Sequence, residues 1–196
     1  PMTLWQQQKF HAQDQKVLLG LGIYYGTMII ILLYNLFLYI SIRDKSYLYF
    51  VLFTTFSSLS QGVLDGVAYQ YLWPQSPWWN DRVIFSSLPL SFLFIWLFTL
   101  EFLALKIKYK KITTTIYIAA LSCFLLFTIG WFGPANVIVP LLGISSILTY
   151  TGALSIGIYI FIKGNKEAGI FSLAWASYFI GSTLYVLKLF GVIPRT

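Results

Sequence analysis

The sequence has few charged residues for its size. Only 10% of its 196 residues are charged and 58% are hydrophobic, whereas a typical soluble domain is about 25% charged. A soluble protein of this length would need more ionic groups to cover its surface. We therefore expect most of the surface to face lipid, so that the lipid bilayer is the first partner of the chain.

The residues that build metal and catalytic sites are also scarce. The chain has one cysteine, Cys123, and one histidine, His11. It has no internal disulfide and cannot assemble a Cys/His zinc site, which needs about four ligands. The patterns GxxxxGK[ST], GxSxG and HExxH are absent. We predict no metal, no cofactor and no catalytic residues, which also weighs against an enzyme acting on lipid.

The sequence has no extended basic face either. The formal net charge is +7, but the cations lie in short segments between apolar runs. Nucleic-acid-binding domains carry a clustered basic patch. The sequence therefore predicts no nucleic-acid partner.

Long apolar runs are abundant. A transmembrane helix needs roughly 20 mostly apolar residues, and the runs that qualify cover residues 17–40, 47–73, 83–105, 112–132, 137–162 and 168–190. The breaks between them are short, which predicts antiparallel neighbours, and no run alternates in polarity like a membrane β-strand. The predicted fold is an all-α membrane protein, an antiparallel bundle of six transmembrane helices, preceded by a periplasmic juncture or linker at residues 1–16.

Lysine and arginine are unevenly divided between the two ends of the predicted helices. One end has the larger set: Arg43, Lys45, Lys106, Lys108, Lys110, Lys111, Lys163 and Lys166. The other end has the smaller set: Lys9, Lys16, Arg82 and Arg195. Since cytoplasmic loops carry the excess of these residues, the first set is predicted to be cytoplasmic and to anchor the topology.

The amino terminus is then predicted to be periplasmic, and an even number of helices places Thr196 on the same side. A cytoplasmic output following this region would require one more span. We therefore expect a seventh helix beyond Thr196, in a longer protein of which this chain is a part.

Polar residues near the outer end of the second predicted helix form a candidate site. They recur every three or four positions, which puts them on one helical face: Thr54, Ser58, Gln61, Asp65 and Tyr69. A carboxylate in a membrane helix is costly without a partner, and Arg82 of the next helix is a candidate partner for Asp65. The predicted ligand pocket comprises Gln61, Asp65, Arg82 and Ser91. The alternative is a solvated carboxylate at an interfacial helix end.

Other positions are predicted to hold helices together. Glu101, near the inner end of the third helix, is expected to form a structural ion pair with Lys106, Lys108 or Arg43. Asn35 is expected to bond to another helix, because an unsatisfied amide in hydrocarbon is costly. Gly22 and Gly26 form a small-xxx-small pair that allows close helix approach.

Two stretches of the sequence resemble a known family. Residues 22–50 read GIYYGTMIIILLYNLFLYISIRDKSYLYF and residues 60–74 read SQGVLDGVAYQYLWP. They carry a Gly-x-x-Tyr-Gly element at Gly22, Tyr25 and Gly26, then YNLFLY, then an Arg-Asp turn. In these features the chain resembles the bacterial seven-transmembrane receptors with diverse intracellular signalling modules.

The resemblance implies a receptor core in the bacterial inner membrane that couples an outside stimulus to an inside output by helix rearrangement. Members carry a periplasmic sensor domain before the first helix. After the seventh helix they carry a histidine kinase of a two-component system, a diguanylate cyclase or another output. The resemblance also points to an unknown periplasmic ligand and to a homodimer, because such outputs work in pairs. The family supplies no catalytic residues inside the membrane. A small-solute transporter or channel, which composition alone favours, remains the alternative.

Overall fold

The computed structural model describes residues 4–189, with side chains described at residue 15 and residues 17–181. This part of the chain contains helices and no strand. In chain order the helices are α1 Leu4–Ile42, α2 Lys45–Leu64, α3 Val67–Tyr71, α4 Pro77–Phe102, α5 Leu105–Lys108, α6 Lys110–Phe132, α7 Ala135–Ile162 and α8 Lys166–Leu189.

Five segments within the described residues are long and apolar enough to cross a membrane: Val17–Ile42, Lys45–Leu64, Pro77–Phe102, Lys110–Phe132 and Ala135–Ile162. The sixth predicted span, residues 168–190, falls on α8, whose side chains beyond residue 181 lie outside the described part. These helices confirm the predicted all-α membrane bundle.

The first helix starts earlier than the sequence predicted. The linker predicted at residues 1–16 is helical from Leu4, and α1 runs without a break to Ile42. Residues 4–16 contain neither glycine nor proline, so nothing in their backbone chemistry interrupts the helix. The apolar span is thus continuous with a polar helical extension.

The second helix is shorter than predicted. Instead of one helix over 47–73, α2 ends at Leu64, Asp65 occupies the C-cap, and a second short helix, α3, follows. Gly66 has φ +77°, the left-handed conformation in which glycine commonly ends a helix. This break removes Tyr69 from the helical face that Thr54, Ser58 and Gln61 share.

Helix α4, which corresponds to the third predicted span (residues 83–105), is displaced toward the amino terminus of that range. It begins at Pro77 rather than residue 83, because proline is well tolerated at the first helical position. It ends at Phe102 rather than residue 105, since Ala104 has φ +48° and redirects the chain into α5. The residues that follow Phe102 therefore lie in a structured turn outside the span.

The centre of the bundle is α4, which packs against α2, α6 and α7. Phe92, Ile95 and Leu100 are each at most 1% exposed. In contrast, α1 comes close to the backbone of α2 alone within the described residues, and α8 to that of α7 alone. The helices at the two ends of the chain therefore form the periphery of the bundle.

Candidate functional site

The predicted polar site is centred on Asp65, where α2 ends beside α1. One carboxylate oxygen of Asp65 accepts a hydrogen bond from Gln61 Nε2 at 2.9 Å. The other accepts a longer bond, 3.4 Å, from the Tyr25 hydroxyl of α1. We call Tyr25, Gln61 and Asp65 the outer cluster. The structure thus brings two of the four predicted pocket residues together and adds a tyrosine from another helix.

The prediction that Arg82 pairs with Asp65 is wrong. Arg82 Nη1 instead donates to the backbone carbonyls of Gly130 at 3.0 Å and Gly133 at 3.2 Å, and the guanidinium lies 5.7 Å from the Trp78 ring. The last carbonyls of a helix have no intrahelical partner and carry partial negative charge. Arg82 therefore caps the end of α6, which satisfies its charge without a carboxylate.

Ser91 also lies apart from the outer cluster. Its side chain is 2% exposed and donates to the Leu88 carbonyl of its own helix at 2.7 Å. The serine that joins α4 to α2 is Ser87, whose hydroxyl lies 2.7 Å from that of Ser60. The hydroxyl groups of α4 thus bond within α4 or hold it to α2, and Ser91 does not line a pocket with Asp65.

One opening in the bundle is a cleft between α1, α2, α4 and α8. It has a volume of about 320 Å³ and is lined mainly by apolar and aromatic side chains, with the hydroxyls of Thr54, Ser57 and Ser58 on one wall. No Cα atom of α8 lies within 8 Å of one in α2 or α4 among the described residues. Aromatic rings bridge this gap, with Phe53 centred 5.7 Å from Trp175 and 6.1 Å from Tyr178.

The polar wall of the cleft is incompletely bonded. Ser57 and Tyr178 hydroxyls are 3.4 Å apart, whereas the buried Ser58 hydroxyl has no hydrogen-bond partner within 3.5 Å among the side chains that the structure describes. A buried hydroxyl without such a partner costs free energy. The cleft is therefore a place where an additional polar group would stabilise the bundle.

At the opposite end of the bundle, Glu101 forms an ion pair with Lys106. This confirms one of the pairings predicted for Glu101. The hydrogen bond that Lys106 donates to the Glu101 carboxylate raises the pKa of Lys106, which lies outside the membrane-spanning helices. The other predicted topology anchors, Arg43, Lys45, Lys108, Lys110 and Lys111, have exposed side chains at this end.

The residues predicted to hold α1 against other helices do not do so in this structure. Asn35 donates to the Ile31 carbonyl of its own helix at 2.9 Å, because a carbonyl four residues earlier is the nearest acceptor for a short amide. A Cβ atom added at Gly22 or Gly26 would meet nothing within 4 Å. Among the described residues, α1 comes close to the backbone of no helix other than α2.

Sequence reasoning missed several residues of these sites. Tyr25 belongs to the Gly-x-x-Tyr-Gly element, and its spacing from Asp65 gave no sign of their contact. The carbonyls of Gly130 and Gly133 are backbone groups, which side-chain patterns do not reveal. The aromatic lining of the cleft comes from four helices, α1, α2, α4 and α8, most of which are far apart in sequence. Aromatic enrichment, 19% of all residues, was the one available signal.

Comparison with known families gives a match over residues 18–196 to the family described as 7TM diverse intracellular signalling. No curated protein matches the chain, and no solved structure matches it. The family match spans all the helices described above except the first residues of α1. The chain therefore belongs to the 7TM diverse intracellular signalling family, as its sequence resemblance indicated, and is a multi-pass protein of a transmembrane receptor family that signals inside the cell.

Proposed function

We infer that the chain is the membrane core of a bacterial inner-membrane receptor in which α1 carries a periplasmic stimulus to a cytoplasmic output. The observation that carries this proposal is the geometry of α1. Its 39 residues form one uninterrupted helix, about 58 Å long at 1.5 Å per residue. A membrane core is about 30 Å thick, so the helix is long enough to extend well beyond one side of it.

The attachment of α1 to the bundle supports movement. None of the most apolar stretch of its span is buried, and the hydrogen bond from Tyr25 to Asp65 is long, at 3.4 Å. Helix shifts of one or two ångströms are a common signalling movement. A helix that packs along one neighbour can move in this way without disrupting the core around α4.

We propose that the outer cluster switches between two states during signalling. It lies at the break between α2 and α3, where Gly66 lets the chain turn. In one state Tyr25 bonds to Asp65, and in the other α1 is displaced and the carboxylate is left with Gln61. A stimulus shifts this equilibrium only by its difference in affinity for the two states. The predicted ligand role of Gln61, Asp65, Arg82 and Ser91 is thereby replaced by a relay role for Asp65 and Gln61.

The output is proposed to be a histidine kinase or diguanylate cyclase module acting in a homodimer, and the test uses the longer receptor that contains this chain. Asp65→Ala removes the acceptor of both bonds and is expected to change basal kinase or cyclase activity several-fold. Asp81→Ala is the matched control, because Asp81 is an exposed acid near the start of α4. Activity is normalised to the amount of receptor in the membrane.

Two results would contradict the proposal. The first is equal basal activity in wild type, Asp65→Ala and Asp81→Ala receptors that are all inserted and folded. The second is solute uptake into proteoliposomes that Asp65→Asn abolishes, since this would make the chain a transporter.

The cleft fits a role in the same receptor. Its position between the two peripheral helices, its apolar lining and the unbonded Ser58 hydroxyl suit a further transmembrane helix, and the family description has seven. We propose that the seventh span packs there. A cysteine at Ser57, with Cys123 replaced by alanine, should react with a membrane-soluble maleimide in residues 1–196 and be protected in the longer protein. Equal reaction rates would place the seventh span elsewhere.

A further inference from the structure

The turns at the lysine-rich end of the bundle are well-ordered structures. In the α4–α6 turn, Leu105 is fully buried and its carbonyl accepts bonds from the Tyr109 N–H at 3.0 Å and from Thr113 Oγ1 at 3.2 Å. These contacts fix the short helix α5. As a result, Lys108 and Tyr109 are held in defined positions at the edge of the membrane.

The α7–α8 turn is fixed in a similar way. Gly164 has φ +95°, and the Asn165 side chain accepts bonds from the N–H groups of Glu167 at 2.9 Å and Ala168 at 3.3 Å. The first N–H groups of α8 are therefore already satisfied. Lys163, at the end of α7, remains exposed beside them.

The two turns meet through a pair of tyrosines. The rings of Tyr109 and Tyr159 are 6.2 Å apart and nearly perpendicular. Lys108 Nζ lies 5.8 Å from the centre of the Tyr109 ring, and Lys163 Nζ lies 5.6 Å from that of Tyr159. We call Lys108, Tyr109, Tyr159 and Lys163 the basic clamp.

The basic clamp does more than a topology anchor requires. The orientation of a protein in the membrane depends on the number of cations in its loops. That orientation would be the same if Lys108 and Lys163 pointed away from each other. Here ammonium groups from two separate turns are held over adjoining rings by cation–π attraction. Lys106 is not part of this arrangement, since it is paired with Glu101.

Apolar side chains next to the basic clamp are unusually exposed. Ile107 is 91% exposed and Ile162 is 76% exposed, and each is adjacent in sequence to a clamp lysine. Lys110 and Lys111 add positive charge nearby, against the single acid Glu167 in the α7–α8 turn. The combination is a cationic, phenol-bearing surface at headgroup depth with aliphatic groups beside it.

We propose that the basic clamp binds the headgroup of an anionic phospholipid. The two ammonium groups and the tyrosine hydroxyls donate to the phosphate oxygens, and the acyl chains pass Ile107 and Ile162. Basic pockets between transmembrane helices are suited to such headgroups. A lysine ammonium that moves from a tyrosine ring to a phosphate exchanges a cation–π contact for an ion pair. A lipid bound there connects the α4–α6 turn to the α7–α8 turn.

The test uses the chain purified in detergent and mixed with equal amounts of phosphatidylglycerol and phosphatidylcholine, with the retained lipids measured by native mass spectrometry. Wild type is expected to retain phosphatidylglycerol preferentially. Replacing Lys108 or Lys163 with glutamine should each reduce this preference about fivefold, the effect of one basic residue near an anionic surface. The matched control is Lys45→Gln, which removes the same charge from the same end of the bundle outside the clamp.

Four results would overturn the proposal. The first is a wild type that shows no preference for phosphatidylglycerol, and the second is a Lys45→Gln variant that lowers the preference as much as Lys108→Gln does. Inorganic phosphate, added at constant ionic strength, would displace the lipid completely if the ligand were a soluble anion. If the clamp variants keep their lipid and instead lose output in the longer receptor, the clamp contacts a cytoplasmic protein segment. Thermal unfolding of each variant shows whether it remains folded.

Discussion

The spans of α1 and α4 are alike in length and in the hydropathy of their most apolar stretch but differ in where they lie. Val17–Ile42 and Pro77–Phe102 each have 26 residues, and the most apolar 18-residue stretch of each has a mean hydropathy of 2.1. Of the most apolar stretch, 56% is buried in α4 and none in α1. Hydropathy therefore identifies a helix that crosses the membrane without showing whether it is central or peripheral.

The difference lies in small and hydroxyl-bearing residues. The buried face of α4 includes Ser86, Ser87, Pro89, Ser91 and Thr99, whereas α1 presents large side chains such as Leu19, Ile30 and Phe37 to the outside. Lipid tails are as apolar as leucine, so apolar surface alone does not drive helices together. Close backbone approach and hydrogen bonds do, and α4 has the residues for both.

Helices α4 and α6 approach each other closely at Gly130. Pro89 has no N–H to donate to the Phe85 carbonyl four residues earlier, and that carbonyl faces Gly130. A Cβ atom at Gly130 would lie 2.5 Å from the Phe85 oxygen. Pro89 and Gly130, which are far apart in sequence, thus combine to bring two backbones together.

The largest expected effect is a contrast between glycines in these two environments. Gly130→Ala must push α6 away from α4 and should lower the free energy of unfolding by about 2 kcal/mol, as overpacking does. The methyl group of Gly26→Ala enters open space. This variant should leave the free energy of unfolding unchanged or raise it slightly, because alanine favours the helix. Reversible unfolding in mixed micelles measures both. A comparable loss in Gly26→Ala would mean that α1 has a neighbour outside this chain.

A smaller effect is expected at Arg82, which joins α4 to the end of α6. Arg82→Gln loses two charge-assisted hydrogen bonds to carbonyls and should cost about 1.5 kcal/mol, with Arg82→Lys losing less. The neighbouring Asp81, an exposed side chain, supplies the control variant Asp81→Asn, which should be neutral. Equal unfolding free energies for Arg82→Gln and wild type would show that the capping contacts contribute nothing.

These contrasts also show which parts of the structure the sequence could predict. The spans and the breaks between them followed from hydropathy and turn residues, and the Glu101–Lys106 pair followed from proximity in the chain. The break at Gly66 was missed because an isolated glycine in an apolar run is usually tolerated. Arg82 was assigned to a carboxylate because only side chains are visible in a sequence, while its real partners are backbone carbonyls of a distant helix.

The position of α1 was unpredictable for a different reason. The Gly22 and Gly26 pair matches a packing motif, but a motif does not specify which helix will use it. Asn35 was assigned to another helix on the argument that amides in lipid need partners, and its own helix supplied one. Contacts across helices depend on the relative rotation of the helices, which a single sequence does not encode in any local pattern.

The smallest expected effect compares the hydrogen bonds that join α2 to its two neighbours. Ser60 donates to the Phe56 carbonyl at 2.8 Å, and because a hydroxyl has one hydrogen, Ser87 then donates to Ser60. A double-mutant cycle with Ser60→Ala and Ser87→Ala should give a coupling of about 0.6 kcal/mol, the average for interhelical bonds in membranes.

The corresponding bond to α1 should be weaker. At 3.4 Å, the bond from Tyr25 to Asp65 is near the outer limit of hydrogen-bond geometry, and it lies at an interface where water competes for the carboxylate. A cycle with Tyr25→Phe and Asp65→Asn should therefore give a smaller coupling than the Ser60–Ser87 cycle, measured in the same micelles. A larger coupling would show that α1 is held firmly to α2. The receptor would then have to transmit its stimulus by a route other than displacement of this helix.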